Sequence, residues 1–453
     1  MSSGRYFNCC IIGHGKLTLD CAQFLLAQGH SVKGIISDNS DVRAWANEHH
    51  ITNIAFGDDQ YEFLSQWPFD YLFSIINPTQ TPEEILGKPK ILAINFHDAP
   101  LPKYAGLNVT SWAIQNQETD FGVTWHEMNT KFDAGDILKQ SLFPIEADET
   151  AFSLSVKCYQ KGKESFESLV SDIEANTLTR TTQNLALRSV YLSSQRPSNA
   201  ALIDWNKSAD EICAFSRGLS YQGEYNPLGL PKVYFNNQFY LIDDEILPGA
   251  RHANAKPGII ISVSSDQVCV AVKDGAVTFS SFRSLGGKAL TFDKLPGLSI
   301  GTSLAELSTS HADEIDTYNQ RQAKHERFWL DRLLSANPFS LSGHLATETG
   351  TQKTPKTTSQ EFELNDTLKR NLKAAFPETD VAALIASLFC CFLHRISDST
   401  SFDIGLNNGG DKLSNTIQKL FSLITPLTLA IENLFPFTNN YYALKANKVL
   451  FFI

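Results

Sequence analysis

Residues 6–36, YFNCCIIGHGKLTLDCAQFLLAQGHSVKGII, read as strand, helix and strand. Tyr6 to Ile12 is an apolar run closed by Gly13–His14–Gly15, the way a buried parallel strand enters a turn. Leu17, Cys21, Ala22, Phe24 and Leu25 then fall at helical spacing, and Gly29 closes the helix as a C-cap. Val32 to Ile36 is the second strand. Such a βαβ unit predicts an α/β fold: an open, mostly parallel Rossmann-like sheet with helices on its faces. Asn53 to Phe56, Asp70 to Ile76 and Ile91 to Asn95 supply further strands. Ligands of such sheets sit beyond the carboxyl ends of the strands, which places Gly13, Asn77, Asn95 and His97 on one rim.

Gly13–His14–Gly15–Lys16 lacks the third glycine of a dinucleotide fingerprint, Leu17 and Thr18 following instead. It is either a tight strand-to-helix turn or a helix N-terminus that, with Lys16, receives an anionic part of a substrate. Asp41 to His50 reads as a helix, and its His49–His50 pair as a solvated helix end, since neighbours on a helix point apart. Asn77–Pro78 ends a strand, and Pro82 opens a helix whose Glu83 and Glu84 favour the dipole. Pro100, Pro102 and Gly106 stiffen a loop before a helix from Val109 to Asn116. Gly122 to Met128 is a strand, Asp133–Ala134–Gly135–Asp136 a turn, Ile137 to Phe143 a strand, and Thr150 to Ala175 a helix that ends the first domain.

From Tyr191 the pattern shifts to short alternating strands separated by Gly, Pro or Asn, as in a small β-barrel, with a helix from Ser208 to Leu219 between them. A third pattern starts near His311. It comprises an amphipathic helix through Leu334, a Ser/Thr-rich linker, a strand-like Phe362 to Leu364 and an apolar helix from Val381 to Ser397.

At 453 residues the chain exceeds the size at which one core keeps growing, so about two to four domains are expected. Its 42% hydrophobic and 19% charged residues are those of an ordinary globular protein. A net charge of −11 argues against a broad nucleic-acid surface, which needs clustered Lys and Arg. The eight cysteines include the adjacent pairs Cys9–Cys10 and Cys390–Cys391 inside apolar runs, with no C-x-x-C spacing, so buried reduced thiols are expected and no metal site. No signal peptide and no run of about 18 apolar residues is found, so a cytoplasmic protein without a membrane span is expected.

An Asn-x-His at a strand end is more often a turn than a site; if it is a site, Asn95 and His97 with Asp133 are the candidates for chemistry. An amide, an imidazole and a carboxylate suffice to move an acyl group to an amine without a covalent enzyme intermediate. The amide N–H and a protonated imidazole can hold a tetrahedral oxyanion. The carboxylate orients the imidazole and shuttles protons, directly or through a water. Asp136 reads as a structural cap of its turn. His126 is either a packed strand histidine or part of an acceptor pocket.

Asn95–Phe96–His97 followed by Pro100–Leu101–Pro102–Lys103–Tyr104–Ala105–Gly106 resembles the folate-dependent formyltransferase family, which carries Asn-x-His, a Leu-Pro-x-x-x-Gly loop and an Asp 36 positions after the histidine, as Asp133 is here. Ile203–Asp204–Trp205 through Gly275–Ala276 resembles the C-terminal domain of the family's tRNA-acting members. The resemblance implies a formyltransferase fold over 1–188 and a small OB-like β-barrel over 189–310. It also implies 10-formyltetrahydrofolate as cosubstrate with no metal. Folate is then expected against Phe73, Ile75, Ile76 and Asn77 and around Asn129 and Thr130, with Gly13, Gly15, Lys16 and His126 toward the acceptor.

The version Asn-Phe-His-Asp…Tyr-Ala-Gly-Leu-Asn…Gly-Val-Thr-Trp-His is most similar to formyltransferase domains attached to peptide synthetases. The tRNA-acting members carry a basic insertion where Ser37 to Ala44 has Asp38 and Asp41. His325 to Leu333 and Leu384 to Leu406 resemble one lobe of a synthetase condensation domain, giving a partial α+β half domain over 311–453 with a linker at 340–359. That lobe lacks the adjacent histidines followed by Asp-Gly that condensation needs, and is expected to be catalytically silent. The apolar end Val449 to Ile453 suggests a truncated or split assembly-line protein. The expected acceptor is an aminoacyl unit on a carrier protein, with that carrier or an adenylation domain as partner. The alternatives are a nucleotide-linked amino sugar, hydroxyornithine or methionyl-tRNA, or a non-catalytic docking module.

Overall fold

The structure, a computed structural model, describes residues 6–77, 79–250, 255–292, 295–304, 307–338, 365–377, 381–396, 401–407, 414–421 and 424–430. The linker at 340–359, the strand-like Phe362 to Leu364 and the end at Val449 to Ile453 lie outside the described residues. Two compact units are present, Met1–Lys324 and His325–Ile453.

The first unit opens with β1 (Asn8–Gly13), α1 (Gly15–Ala27), β2 (Ser31–Ile36), α2 (Ser40–Glu48), β3 (Thr52–Ile54), α3 (Gln60–Ser65), β4 (Tyr71–Ile75), α4 (Glu83–Leu86) and β5 (Leu92–His97). It continues with β6 (Ala105–Gly106), α5 (Val109–Gln115), β7 (Asp120–Glu127), β8 (Ile137–Pro144) and α6 (Ala151–Glu174). Seven strands form one sheet in the order β3-β2-β1-β4-β5-β7-β8. The pairs β2–β3, β1–β2, β1–β4 and β4–β5 are parallel, and β5–β7 and β7–β8 are antiparallel. The mostly parallel Rossmann-like sheet expected from residues 6–36 is therefore present.

Both faces of the sheet are covered, which explains the unbroken apolar runs in its central strands. Alternate residues feed opposite cores. Cys9, Ile11, Phe73, Ile75 and Ile94 join α1, α5 and α6 on one side. Cys10, Ile12, Leu72 and Ala93 meet Phe63, Leu64 and Ile85 on the other. This alternation fixes where Asn95 points, because it shares its face with Ala93 at the end of β5, beyond the smaller core. Local devices hold the helices: Asn39 caps α2, and Thr150 with Ser153 forms a capping box on α6.

After α6 the chain runs through β9 (Val190–Tyr191), which pairs in parallel with β6. It then forms α7 (Ala209–Leu219), whose Ser208 and Glu211 make a reciprocal capping box. Two four-stranded antiparallel sheets follow, from β10 (Lys232–Phe235), β11 (Gln238–Leu241), β12 (Leu247–Pro248), β13 (Ile260–Val263), β14 (Val268–Val272), β15 (Gly275–Phe279), β16 (Phe282–Ser284) and β17 (Ala289–Leu290). Their shared core includes Trp205, Ile212, Val233, Val270, Phe279 and Phe282. Helix α7 seats this lobe on α5: a Cβ added at Gly218 would lie 2.5 Å from Gln115 Cγ and 2.8 Å from the Ser111 carbonyl oxygen.

The helix expected from His311 through Leu334 is two helices, α8 (Thr309–Ala323) and α9 (Glu326–Leu334), because His325 leaves helical geometry at φ −111° and ψ 4°. In α8, Ile315 is buried and the Asp316 carboxylate accepts from the Asn199 N–H at 2.5 Å. The second unit holds α9, α10 (Asp366–Ala375), α11 (Val381–Ile396), β18 (Ser401–Asn407), α12 (Asn415–Leu420) and β19 (Ile424–Ala430). Its antiparallel pair β18–β19 is tied to α9 by the ion pair Arg332–Asp403 at 3.0 Å.

Candidate active site

Four side chains from three separate places meet at the end of β5. Asn95 and His97 close that strand. Antiparallel pairing with β7 sets Asn95 opposite His126 and His97 opposite Thr124. Asp133 arrives from the turn between β7 and β8 in the left-handed region, φ 50°, and is 4% exposed.

That turn is held from behind. Gln183 Nε2 donates to the carbonyl oxygens of Asp133 (3.1 Å) and Gly135 (2.7 Å). Gly135 lies so close to β7 that a Cβ would sit 1.8 Å from the Glu127 carbonyl oxygen. On the loop opposite, the Gly106 N–H donates to Asp133 Oδ2 at 3.0 Å. Gly106 itself has φ +108°, and a Cβ there would meet the Tyr191 carbonyl oxygen at 2.0 Å, so only glycine brings this N–H to the carboxylate.

Hydrogen-bond bookkeeping fixes the tautomers. His97 Nε2 lies 2.7 Å from the Tyr104 carbonyl oxygen, which can only accept, so this nitrogen carries a hydrogen. His97 Nδ1 then faces two carboxylates, Asp133 Oδ2 at 3.8 Å and Asp98 Oδ1 at 3.9 Å. His126 Nδ1 donates to the Glu127 carbonyl oxygen at 2.9 Å. Its Nε2 stands 3.1 Å from Asn95 Nδ2 and 3.5 Å from Asp133 Oδ1. A neutral His126 therefore accepts from Asn95, whose other amide hydrogen goes to the Phe96 carbonyl oxygen at 3.0 Å. An Nε2 that carries a hydrogen can donate to Asp133 but cannot accept from Asn95.

The carboxylates differ. Burial pushes Asp133 up, but the nearby His97, the bonds with His126 and the Gly106 N–H outweigh it and hold Asp133 below the usual carboxylate range. Removal from water raises Asp98; His97 opposes this and Asp133 adds to it.

These groups line a cleft of about 180 Å³. Asn95, His97, His126 and Asp133 all face it, as do Ile76, Asn77 and Asn129. Ile76 turns out of β4 at φ 52°, and Asn77 Oδ1 accepts from the Thr79 N–H and hydroxyl, shaping that rim. Phe73 and Ile75 do not line the cleft; both are fully buried in the larger core, Phe73 against Phe7, Tyr71 and Phe166. Thr130 does not line the cleft; its carbonyl oxygen accepts from Gln80 Nε2 at 3.4 Å. Gly13, Gly15 and Lys16 are not among the lining residues: the Gly13 backbone is pressed against the Ile75 carbonyl, and Lys16 pairs with Asp20.

Several contributors carry no motif of their own. Asp98 was visible as the residue after His97. The Tyr104 carbonyl and the Gly106 N–H belong to backbone of the proline-rich loop, and Gln183 carries no local signal. Among the described residues no group of three His, Cys, Asp or Glu side chains could hold a metal ion, the described cysteines are buried and unbridged, and no helix is long and apolar enough to cross a membrane.

Known proteins of similar sequence and fold belong to one family. Residues 81–170 match the formyl transferase family, and residues 197–295 match the formyl transferase C-terminal domain. A methionyl-tRNA formyltransferase of Clostridium beijerinckii is 28% identical over 237 residues, covering 52% of this chain and 73% of that protein. One of Clostridium tetani is 31% identical over 215 residues, covering 47% of this chain and 66% of that protein. An N-formyltransferase from Helicobacter canadensis, solved with folinic acid and dTDP-3-aminofucose, is 20% identical with a TM-score of 0.50, covering 61% of this chain and 99% of that one; this likeness is one of fold.

Proposed function

We propose, starting from a chain that is a formyltransferase carrying both domains of that family in order, that it transfers the formyl group of 10-formyltetrahydrofolate to a primary amine borne by a peptide-synthetase carrier protein. The carrying observation is the meeting of Asn95, His97 and Asp133 in one cleft from positions up to 38 residues apart. Folate as donor is supported by the fold shared with the folinic-acid-bound Helicobacter canadensis enzyme. At about 180 Å³ the cleft suits the reacting head of a folate better than the whole molecule, with Ile76, Asn77 and Asn129 along its rim.

The chemistry follows from the hydrogen-bond states. Attack of a neutral amine on the formyl carbon develops negative charge on the formyl oxygen. An Asn95 N–H and His97 can meet that charge. Asp133, held ionised, keeps a positive imidazole in place and accepts the proton that leaves the attacking nitrogen. A proton returned to the folate nitrogen completes collapse to formamide and tetrahydrofolate.

The acceptor reading is supported by charge and by the rest of the chain. Lys131 is the one lysine or arginine among the described residues lining the cleft, beside Asp98 and Asp133, which suits an amine better than a polyphosphate backbone. The net charge of −11 points the same way. We read the two antiparallel sheets as the OB-like domain of the family and residues 311–453 as a silent, partial condensation lobe that docks a carrier or adenylation domain in the cytoplasm. The second reading, methionyl-tRNA as acceptor, is favoured by the two clostridial relatives. Incubating the protein with 10-formyltetrahydrofolate and either aminoacyl-loaded carrier or methionyl-tRNA separates the two: formylation of the carrier alone supports the proposal, and formylation of the tRNA alone replaces it.

A further inference from the structure

Two carboxylates flank one imidazole nitrogen, at 3.8 Å (Asp133) and 3.9 Å (Asp98), yet only one of them has a described set of partners. Asp133, with a side chain 2% exposed, is engaged by the Gly106 N–H and His126. Asp98 keeps 32% of its side chain exposed and lines the cleft; among the described residues no donor of another residue is hydrogen-bonded to its carboxylate. Its main chain is fixed instead, the Cys158 thiol donating to its carbonyl oxygen at 3.8 Å. A cation entering the cleft from solvent therefore meets Asp98 before it meets Asp133.

We infer that Asp98 is the acceptor-amine site of the transfer: it binds the incoming substrate as a primary ammonium and takes its proton, delivering the neutral amine to the formyl carbon. The inference rests on the formyl-transfer reading above and adds Asp98 to Asn95, His97, His126 and Asp133. In balance, the ammonium gives one proton to the Asp98 carboxylate. The nitrogen lone pair then forms the C–N bond, the tetrahedral adduct expels the folate nitrogen with a proton gained through Asp133, and Asp98 releases its proton to solvent. Ammonium and formyl-folate thus become formamide, tetrahydrofolate and one proton.

The groups around Asp98 fit a base rather than a permanent ion-pair partner. His97 faces it from its own strand end, Asp133 from the β7–β8 turn, and Cys158 and Tyr159 from α6. No lysine or arginine comes within ion-pair distance among the described residues. Partial loss of hydration lifts its carboxyl above the ordinary range, while Asp133 is held below it.

The test is formylation of an L-aminoacyl-pantetheine thioester, whose α-amine titrates near 8, from pH 6 to 9 by the wild type, Asp98→Asn and Asp98→Glu, with folinic acid affinity measured alongside. Without the carboxylate only amine already neutral in solution can react. For Asp98→Asn, kcat/KM should therefore rise about tenfold per pH unit up to the amine's pKa. It should sit on the order of 10² below wild type at pH 6 and approach it at pH 9, with folinic acid affinity unchanged. Asp98→Glu should keep the wild-type profile at a reduced rate. If Asp98→Asn loses folinic acid binding, the Asp98→Glu profile decides: a wild-type shape supports the inference, and a tenfold rise per unit overturns it. An Asp98→Asn profile parallel to wild type also overturns it, while absence of product from the wild type defeats the carrier-borne acceptor reading on which it rests.

Discussion

His97 is fixed at one nitrogen and poised at the other: Nε2 lies 2.7 Å from the Tyr104 carbonyl oxygen, and Nδ1 faces Asp133 Oδ2 at 3.8 Å. A ring pinned at one end can take up or give a proton at the other without turning, provided the carboxylate stays ionised. Asp133→Asn keeps the shape and removes the charge. Its kcat for formyl transfer should fall about 10²–10³-fold, with folinic acid affinity nearly unchanged. Steady-state kinetics beside equilibrium binding checks this, and retention of kcat contradicts it.

Asn95 and His126 form the second linked pair, 3.1 Å apart. His126→Phe removes the acceptor that holds the Asn95 amide and the donor that reaches Asp133. The loss of one positioning hydrogen bond, ~1 kcal/mol, corresponds to about fivefold in kcat. His126→Gln, able to donate and accept, should recover most of it. Equal losses in the two variants would remove His126 from the account.

Much of this arrangement was legible in the sequence. Residues 6–36 predict strand, helix and strand because their strand positions are mostly apolar, and the structure shows why: Ile11 and Ile12 enter different cores on opposite faces. Asn95 and His97 were visible as polar residues ending an apolar strand. His126 was open between packing and pocket, since its place beside Asn95 follows from antiparallel register across a turn, which no local pattern carries. The resemblance puts Phe73 and Ile75 on one rim with Ile76 and Asn77, but alternation sends their side chains into the larger core. Gln183 is absent from any motif; a clamp on backbone carbonyls leaves no spacing to read.

The two cleft carboxylates have opposite consequences for stability. Asp133 is depressed in the folded state, so its contribution is fully present above its unfolded value near 3.9 and is lost as pH falls through the lower folded value. Asp98 is raised, so it costs stability once pH climbs from the unfolded value through the folded one, and the cost persists at neutral pH. At pH 7, Asp98→Asn should therefore raise Tm while lowering activity, and Asp133→Asn should lower both. At pH 3 both differences should shrink. Thermal melts at the two pH values check the signs.

Gly135 sets the distance between the Asp133 turn and β7. Gly135→Ala must move backbone, since the new Cβ would lie 1.8 Å from the Glu127 carbonyl oxygen. A destabilisation of about 1–3 kcal/mol is expected, with activity lost beyond what the unfolded fraction explains because Asp133 moves with the turn. Denaturant melts and kinetics on the same preparation check it, and an alanine variant of wild-type stability contradicts the geometry.

Mass spectrometry of an aminoacyl-loaded carrier protein after incubation with the full chain and 10-formyltetrahydrofolate tests the central claim most directly. Gain of one formyl group on the aminoacyl amine, abolished by Asn95→Ala, is the predicted result. No mass gain at saturating cosubstrate, from protein that binds folinic acid, would contradict it.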